Sequence, residues 1–191
     1  MANVPSLIFI TGGVRSGKSS FAERKGLELA AETGGNLIYF ATGVPSDVEM
    51  EERISKHQQD RAAGKYQWKT VEQSSDIGLR AVEFTKRDTI LLDCVTTLLN
   101  NELFATETSW DNSFLESVKE RIFNGITKIK EQSKTMIVVS NEVVYEPIHE
   151  KELVIIYGRL LGHIHRQLVK DADEAYLVEA GIPIMMKGMK A

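Results

Sequence analysis

Leu7-Ile8-Phe9-Ile10-Thr11 runs without a break into Gly12-Gly13-Val14-Arg15-Ser16-Gly17-Lys18-Ser19, and an amphipathic stretch carrying Phe21, Leu27 and Leu29 follows. The first five residues are an apolar, β-branched run of the length of a buried strand. The next eight match G-x-x-x-x-G-K-[ST] at every fixed position. A strand, a glycine loop and a helix in that order let loop N–H groups converge on phosphate oxygens at the positive end of the helix. Gly12 and Gly17 permit the tight path, while Gly13, Val14, Arg15 and Ser16 supply the backbone between them. Lys18 would set its ammonium against the outer phosphates, and the Ser19 hydroxyl would take Mg²⁺. The competing reading is a glycine-rich turn before an ordinary helix. The bare pattern arises by chance in roughly one chain per hundred on average residue usage, and its strand–loop–helix context makes accident rarer.

Working outward, short apolar runs alternate with longer amphipathic ones, the sign of βα units around a mostly parallel sheet. Strands are expected at Leu7 to Thr11, Asn36 to Thr42, Gln67 to Glu72, Thr89 to Asp93 and Thr135 to Ser140. Helices are expected at Lys18 to Glu32, Val48 to Gly64, Ser75 to Lys86, Thr96 to Leu103, Asn112 to Gln132 and Lys151 to Lys170. Ala175 to Glu179 and Ile184 to Lys187 flank Gly181 to Pro183 and read as a closing β-hairpin. The 191 residues suit one α/β domain, with no linker, repeat or low-complexity stretch.

With 42% apolar and 26% charged residues the composition is that of an ordinary globular chain. A net charge of -4 provides no basic field for polyanions, so nucleic acid is not expected as a partner. No apolar run reaches the ~18 residues of a membrane span. The single Cys94 excludes an internal disulfide, and the first residues lack the build of a signal peptide, so a cytoplasmic setting is expected.

A phosphate loop that uses Mg²⁺ needs a second oxygen ligand. Asp93 ends the run Thr89-Ile90-Leu91-Leu92-Asp93, which places a carboxylate at the carboxyl edge of the sheet beside the loop. It is either that metal ligand or a cap for the helix after it. Ser140-Asn141-Glu142 brings a further carboxylate to the same edge, either a second candidate or a solvated loop acid. Arg53, His57 and Arg61 recur every fourth residue behind Glu49, forming one polar stripe. Two guanidiniums flanking a neutral imidazole suit phosphate oxygens and attack at phosphorus, whereas the bland reading is a solvated helix face. His163 and His165, two residues apart, splay to different sides of a helix and read as surface or partly packed groups. No zinc-ligand spacing or nucleophile elbow is present.

The ordered set resembles the bifunctional adenosylcobinamide kinase / adenosylcobinamide-phosphate guanylyltransferase family. It comprises Thr11 to Ser19 (TGGVRSGKS), Tyr39 to Thr42 (YFAT), Glu49 to Arg61 (EMEERISKHQQDR), Trp68 to Glu72 (WKTVE) and Leu91 to Asn101 (LLDCVTTLLNN). Ser140 to Val143 (SNEV), Ala172 to Glu174 (ADE) and Gly181 to Lys187 complete it, so nearly the whole chain is covered. The resemblance implies phosphorylation of adenosylcobinamide by ATP or GTP, then transfer of GMP from GTP through a guanylylated histidine matching His57. It also implies GTP contacts at the loop, at Arg61, Ala62, Ala63 and Gly64, and at Glu72 and Asp93. A RecA-like α/β fold and a homotrimer are implied in the same way.

Two segments depart from the pattern. Relatives usually follow Asn141-Glu142-Val143 with a Gly-x-Gly-Ile-Val-Pro-like loop, where this chain has Val144-Tyr145-Glu146-Pro147-Ile148. Where they often show Asp-x-x-Gly-x-x-Asn-Gln, this chain has Arg159-Leu160-Leu161-Gly162-His163-Ile164-His165-Arg166. The alternatives are therefore a P-loop kinase or nucleotidyltransferase for another small hydroxylated substrate, or a non-catalytic nucleotide-binding module.

Overall fold

The computed structural model describes residues 6–43, 67–105, 110–142 and 152–188. In chain order these form β1 (Leu7–Gly12), α1 (Lys18–Thr33), β2 (Asn36–Ala41), β3 (Trp68–Glu72), a 3₁₀ helix (Ile77–Glu83) and β4 (Asp88–Asp93). Then come α2 (Val95–Phe104), α3 (Asn112–Gln132), β5 (Thr135–Asn141), α4 (Glu152–Asp171), β6 (Glu174–Glu179) and β7 (Ile182–Lys187). The expected helix at Val48 to Gly64 lies outside the described residues.

The strands build one seven-stranded sheet in the order β3-β2-β4-β5-β1-β6-β7. Every neighbouring pair is parallel except β6 and β7, which are antiparallel. Their uninterrupted apolar runs follow from burial on both faces, since successive side chains enter opposite cores. Leu7 and Phe9, Ile90 and Leu92, and Met136 and Val138 meet α2, α3, α4 and the 3₁₀ helix. Ile8 and Ile10, Leu91, and Ile137 and Val139 meet α1 through Phe21, Ala22 and Leu29. Because six strands run the same way, β1, β4 and β5 all end at one edge, where Gly12, Asp93 and Asn141 stand.

Local chemistry sets the element ends. Gly34 closes α1 in the left-handed region at φ 65°, its N–H bonded to Ala30. Asp111 opens α3 by accepting the Phe114 N–H at 2.8 Å.

Two expectations need correction. The stretch from Ser75 to Lys86 holds the 3₁₀ helix rather than an α-helix of that length. Its buried residues, Ile77, Ala81 and Phe84, keep a helical spacing that does not distinguish the two forms. Packing does: Gly78 lies so close to α3 that a Cβ there would come within 3.2 Å of the Gly125 Cα. At the far end Asp88 accepts the Thr85 N–H at 2.6 Å and its hydroxyl at 3.0 Å, turning the chain directly into β4. The hairpin turn is likewise tighter than Gly181 to Pro183. Ala180 and Gly181 alone make it, at φ 48° and 81°, and Pro183 pairs with Val178 inside β7. A two-residue turn with both φ values positive matches the strand twist, and the outer strand of a sheet tolerates proline.

Candidate functional site

The loop between β1 and α1 folds around the carbonyl of Gly13. That oxygen accepts the Ser16 N–H at 3.2 Å and the Lys18 ammonium at 3.1 Å. Lys18 is buried, 7% exposed, at the first position of α1. Arg15 at φ 59° and Gly17 at φ 91° both take left-handed conformations, the kind of backbone from which anion-binding nests are built. No acidic residue occupies the first turn of α1, so its N-terminal partial charge is unopposed within that turn. Val14 and Arg15 are exposed, and Ser19 is half-buried.

The closing hairpin supports this loop from behind. Gly181 donates its N–H to the Ser16 carbonyl at 2.8 Å. A Cβ on Gly12 would lie 2.3 Å from the Val178 carbonyl oxygen and 2.7 Å from Ser16 Oγ, so only glycine fits. Ser16 Oγ is buried and has no hydrogen-bond partner among the described residues.

Asp93 stands two strands from β1, with β5 between, about 10 Å at the usual strand spacing. The Tyr39 hydroxyl donates to its Oδ2 at 2.9 Å. Asp93 does not cap α2, whose N-cap is Cys94 with no side-chain cap bond. The Cys94 thiol is buried 2.9 Å from Thr96 Oγ1, and Asn141 Nδ2 donates to the same hydroxyl at 3.0 Å. Burial, and then the Asp93 charge, push this thiol up from its ordinary pKa and hold it protonated. Tyr157 donates to the Thr96 carbonyl at 3.0 Å, and burial pushes its phenol up to about 12.

Glu142 occupies the end of β5 beside the loop. Its N–H donates to the Gly12 carbonyl at 2.9 Å, and its Oε1 accepts the Thr11 hydroxyl at 2.9 Å. His165, on α4, places Nδ1 3.7 Å from that oxygen and Nε2 2.7 Å from Ser140 Oγ. Burial lowers the imidazole pKa, and the Glu142 charge opposes the shift. His163 is exposed and lines, with Lys119, Arg159 and Arg166, a groove of about 470 Å³ between α3 and α4.

The structure thus brings the loop of Gly12 to Ser19, Asp93 and Glu142 to one edge. Glu72 ends β3 at the same edge, four strands from β1, and is exposed. Arg53, His57, Arg61, Ala62, Ala63 and Gly64 lie outside the described residues, as does the departure at Val144 to Ile148. Among the described residues no group of three or more His, Cys, Asp or Glu side chains is arranged to hold a metal. No described helix is long and apolar enough to cross a membrane. Tyr39, Thr11 and His165 were given no site role from the sequence. Thr11 and Tyr39 open two of the quoted motifs and lie near the carboxyl ends of β1 and β2. His165 sits on the buried face of α4 with Leu161 and Leu168, and that spacing could have exposed it.

The protein is thus of the α/β class, with a mostly parallel sheet that gathers a glycine loop, a buried lysine and two carboxylates at the edge where open α/β sheets bind their ligands. The model of the cobinamide kinase / cobinamide phosphate guanyltransferase family matches residues 8–186, and the chain belongs to that family. It is a transferase of this bifunctional type. The bifunctional adenosylcobalamin biosynthesis protein CobU of Escherichia coli K12 is 31% identical over 188 residues, covering 95% of this chain and 99% of the relative. Its counterpart from Salmonella typhimurium LT2 shows the same identity and coverage. The bifunctional protein CobP of Pseudomonas aeruginosa is 31% identical over 182 residues, covering 94% of this chain and 96% of the relative.

Proposed function

We propose that this protein phosphorylates adenosylcobinamide with ATP or GTP and then transfers GMP from GTP to the phosphate it has made, releasing pyrophosphate. The reading rests above all on the loop: Lys18 is buried with its ammonium 3.1 Å from the Gly13 carbonyl, in a loop whose Arg15 and Gly17 take left-handed backbone conformations. A cation and a ring of donors in one concavity suit a polyphosphate. We assign the fold to the RecA-like P-loop class on the glycine loop after a central strand, the Asp93 strand two places away, and helices on both faces. One domain, a cytoplasmic setting and a homotrimer complete the proposal.

The chemistry divides between two centres. The loop from Gly12 to Ser19 orients the triphosphate, and Lys18 neutralises its outer oxygens. Ser19 and Asp93 offer hard oxygen ligands, the donor set Mg²⁺ prefers, and no described residue bonds the Asp93 Oδ1. Mg²⁺ held there would supply charge neutralisation at the phosphates. His57 serves as nucleophile for GMP transfer: an imidazole nitrogen forms a bond to the α-phosphorus as pyrophosphate leaves. A phosphate oxygen of the corrinoid then displaces the imidazole. Arg53 and Arg61, each four residues from His57 in the sequence, neutralise oxygens during both displacements. Residues Arg61 to Gly64 and Glu72 take the guanine nucleotide.

Incubation with adenosylcobinamide, Mg²⁺ and ATP or GTP tests the activity. Mass spectrometry should find the corrinoid monophosphate first, then its GMP adduct with one pyrophosphate per adduct. Unmodified corrinoid alongside rapid phosphorylation of another small alcohol would contradict the proposal.

A further inference from the structure

The phosphoryl half of the proposed function, on which the following inference rests, removes a proton from the attacking hydroxyl. Lys18 is a cation, and Asp93 is assigned to the metal. Glu142 is differently placed. It stands on the opposite side of the β-pleat from Asp93, since Val138, Ser140 and Glu142 follow one face while Leu91 and Asp93 follow the other. Its backbone is anchored to the first glycine of the loop by the 2.9 Å bond to the Gly12 carbonyl. Its Oε1 is held by the Thr11 hydroxyl at 2.9 Å and faced by His165 Nδ1 at 3.7 Å. One oxygen is thus fixed, while the Oε2 takes no hydrogen bond among the described residues and is the atom to which we assign the proton. His165 is fixed in turn by Ser140 Oγ at 2.7 Å and by its packing on Phe9, ring centroids 5.3 Å apart.

We propose that Glu142 is the general base of the phosphoryl-transfer half-reaction and that His165 is a positioning residue that fixes its carboxylate. As the substrate oxygen forms its bond to the γ-phosphorus, the bond from that phosphorus to the β–γ bridging oxygen breaks. The nucleoside diphosphate leaves with the electron pair, and the hydroxyl proton passes to Glu142 Oε2 and later to solvent. GMP transfer presents an already ionised phosphate oxygen as the final nucleophile. It has no hydroxyl proton to lose, so Glu142 has no part in it. An asparagine amide at this position can make the same contact to the carboxylate or to Ser140.

The test measures the two half-reactions separately on the full-length protein. Adenosylcobinamide with ATP or GTP reads the first, and preformed adenosylcobinamide phosphate with GTP reads the second. Glu142→Gln keeps the shape and the Thr11 bond. Its phosphorylation kcat should fall about 100-fold or more, with nucleotide KM and GMP transfer within about threefold of wild type. His165→Leu should lower phosphorylation kcat about tenfold at unchanged nucleotide KM, and His165→Asn should restore it to within about threefold. A Glu142→Gln protein that phosphorylates within about tenfold of wild type, or loses both half-reactions equally, would overturn the base assignment. Unimpaired His165→Leu, or His165→Asn as impaired as leucine, would overturn the positioning role. Wild-type protein unable to phosphorylate the corrinoid would overturn the proposed kinase function and this inference with it, whereas active wild type with equally active Glu142→Gln overturns the inference alone.

Discussion

Lys18 is the residue on which both proposed activities converge, because one loop must hold the triphosphate for each. Its ammonium sits 3.1 Å from the Gly13 carbonyl, inside the loop it serves. Lys18→Ala removes a charge-assisted contact worth about 1.5 to 3 kcal/mol, so nucleotide affinity should drop about 10- to 100-fold by calorimetric titration. Unchanged affinity in the folded variant would remove the loop from the nucleotide site. Asp93→Asn keeps the acceptor for Tyr39 while deleting the charge directed at Mg²⁺. It should raise the Mg²⁺ concentration needed for half-maximal turnover while leaving metal-free nucleotide binding within about twofold. Equal losses with and without Mg²⁺ would reduce Asp93 to a structural role.

At the scale of elements, the loop is held between α1 and the β6–β7 hairpin, and α4 closes the edge over Glu142. Much of this was legible in the sequence. The apolar run from Leu7, the amphipathic stretch after Lys18 and the glycines are local signals, and β1 and α1 formed where those signals put them. The Ser75 to Lys86 segment was not, because the close approach of Gly78 to Gly125 is a tertiary event with no local trace. The contact from α4 to the residue after β5, His165 to Glu142, is tertiary too: helical spacing marks His165 as facing the core but does not name its partner. It has a measurable consequence. Burial holds the folded imidazole below its ordinary value of 6.5, so the unfolded chain takes up the proton first as pH falls. In the window between the folded value and about 6.5 the unfolded state binds more protons, and stability therefore declines as pH drops through it, levelling once folded His165 protonates. Urea denaturation from pH 8 to 5 should show a shallower acid decline in His165→Asn than in wild type. Parallel declines would mean that His165 is not the group responsible.

For the whole molecule, the family match over residues 8–186 makes the chain a transferase, and the structure gathers the loop, Asp93 and Glu142 at one edge of the sheet. The covalent step rests on His57, outside the described residues, and on the resemblance that singled it out. Asparagine at that position keeps polarity but cannot form a nitrogen–phosphorus bond. His57→Asn should therefore lose GMP transfer by about 1,000-fold while keeping phosphoryl transfer within about tenfold, separating activities that share one nucleotide loop. The decisive measurement is incubation of wild-type protein with GTP labelled in the α-phosphate, followed by peptide mapping. One acid-labile, alkali-stable label on His57, absent from His57→Asn, is the expected result. Label that persists in the variant, or maps to the neighbouring Lys56, would contradict a guanylyl-histidine intermediate at His57.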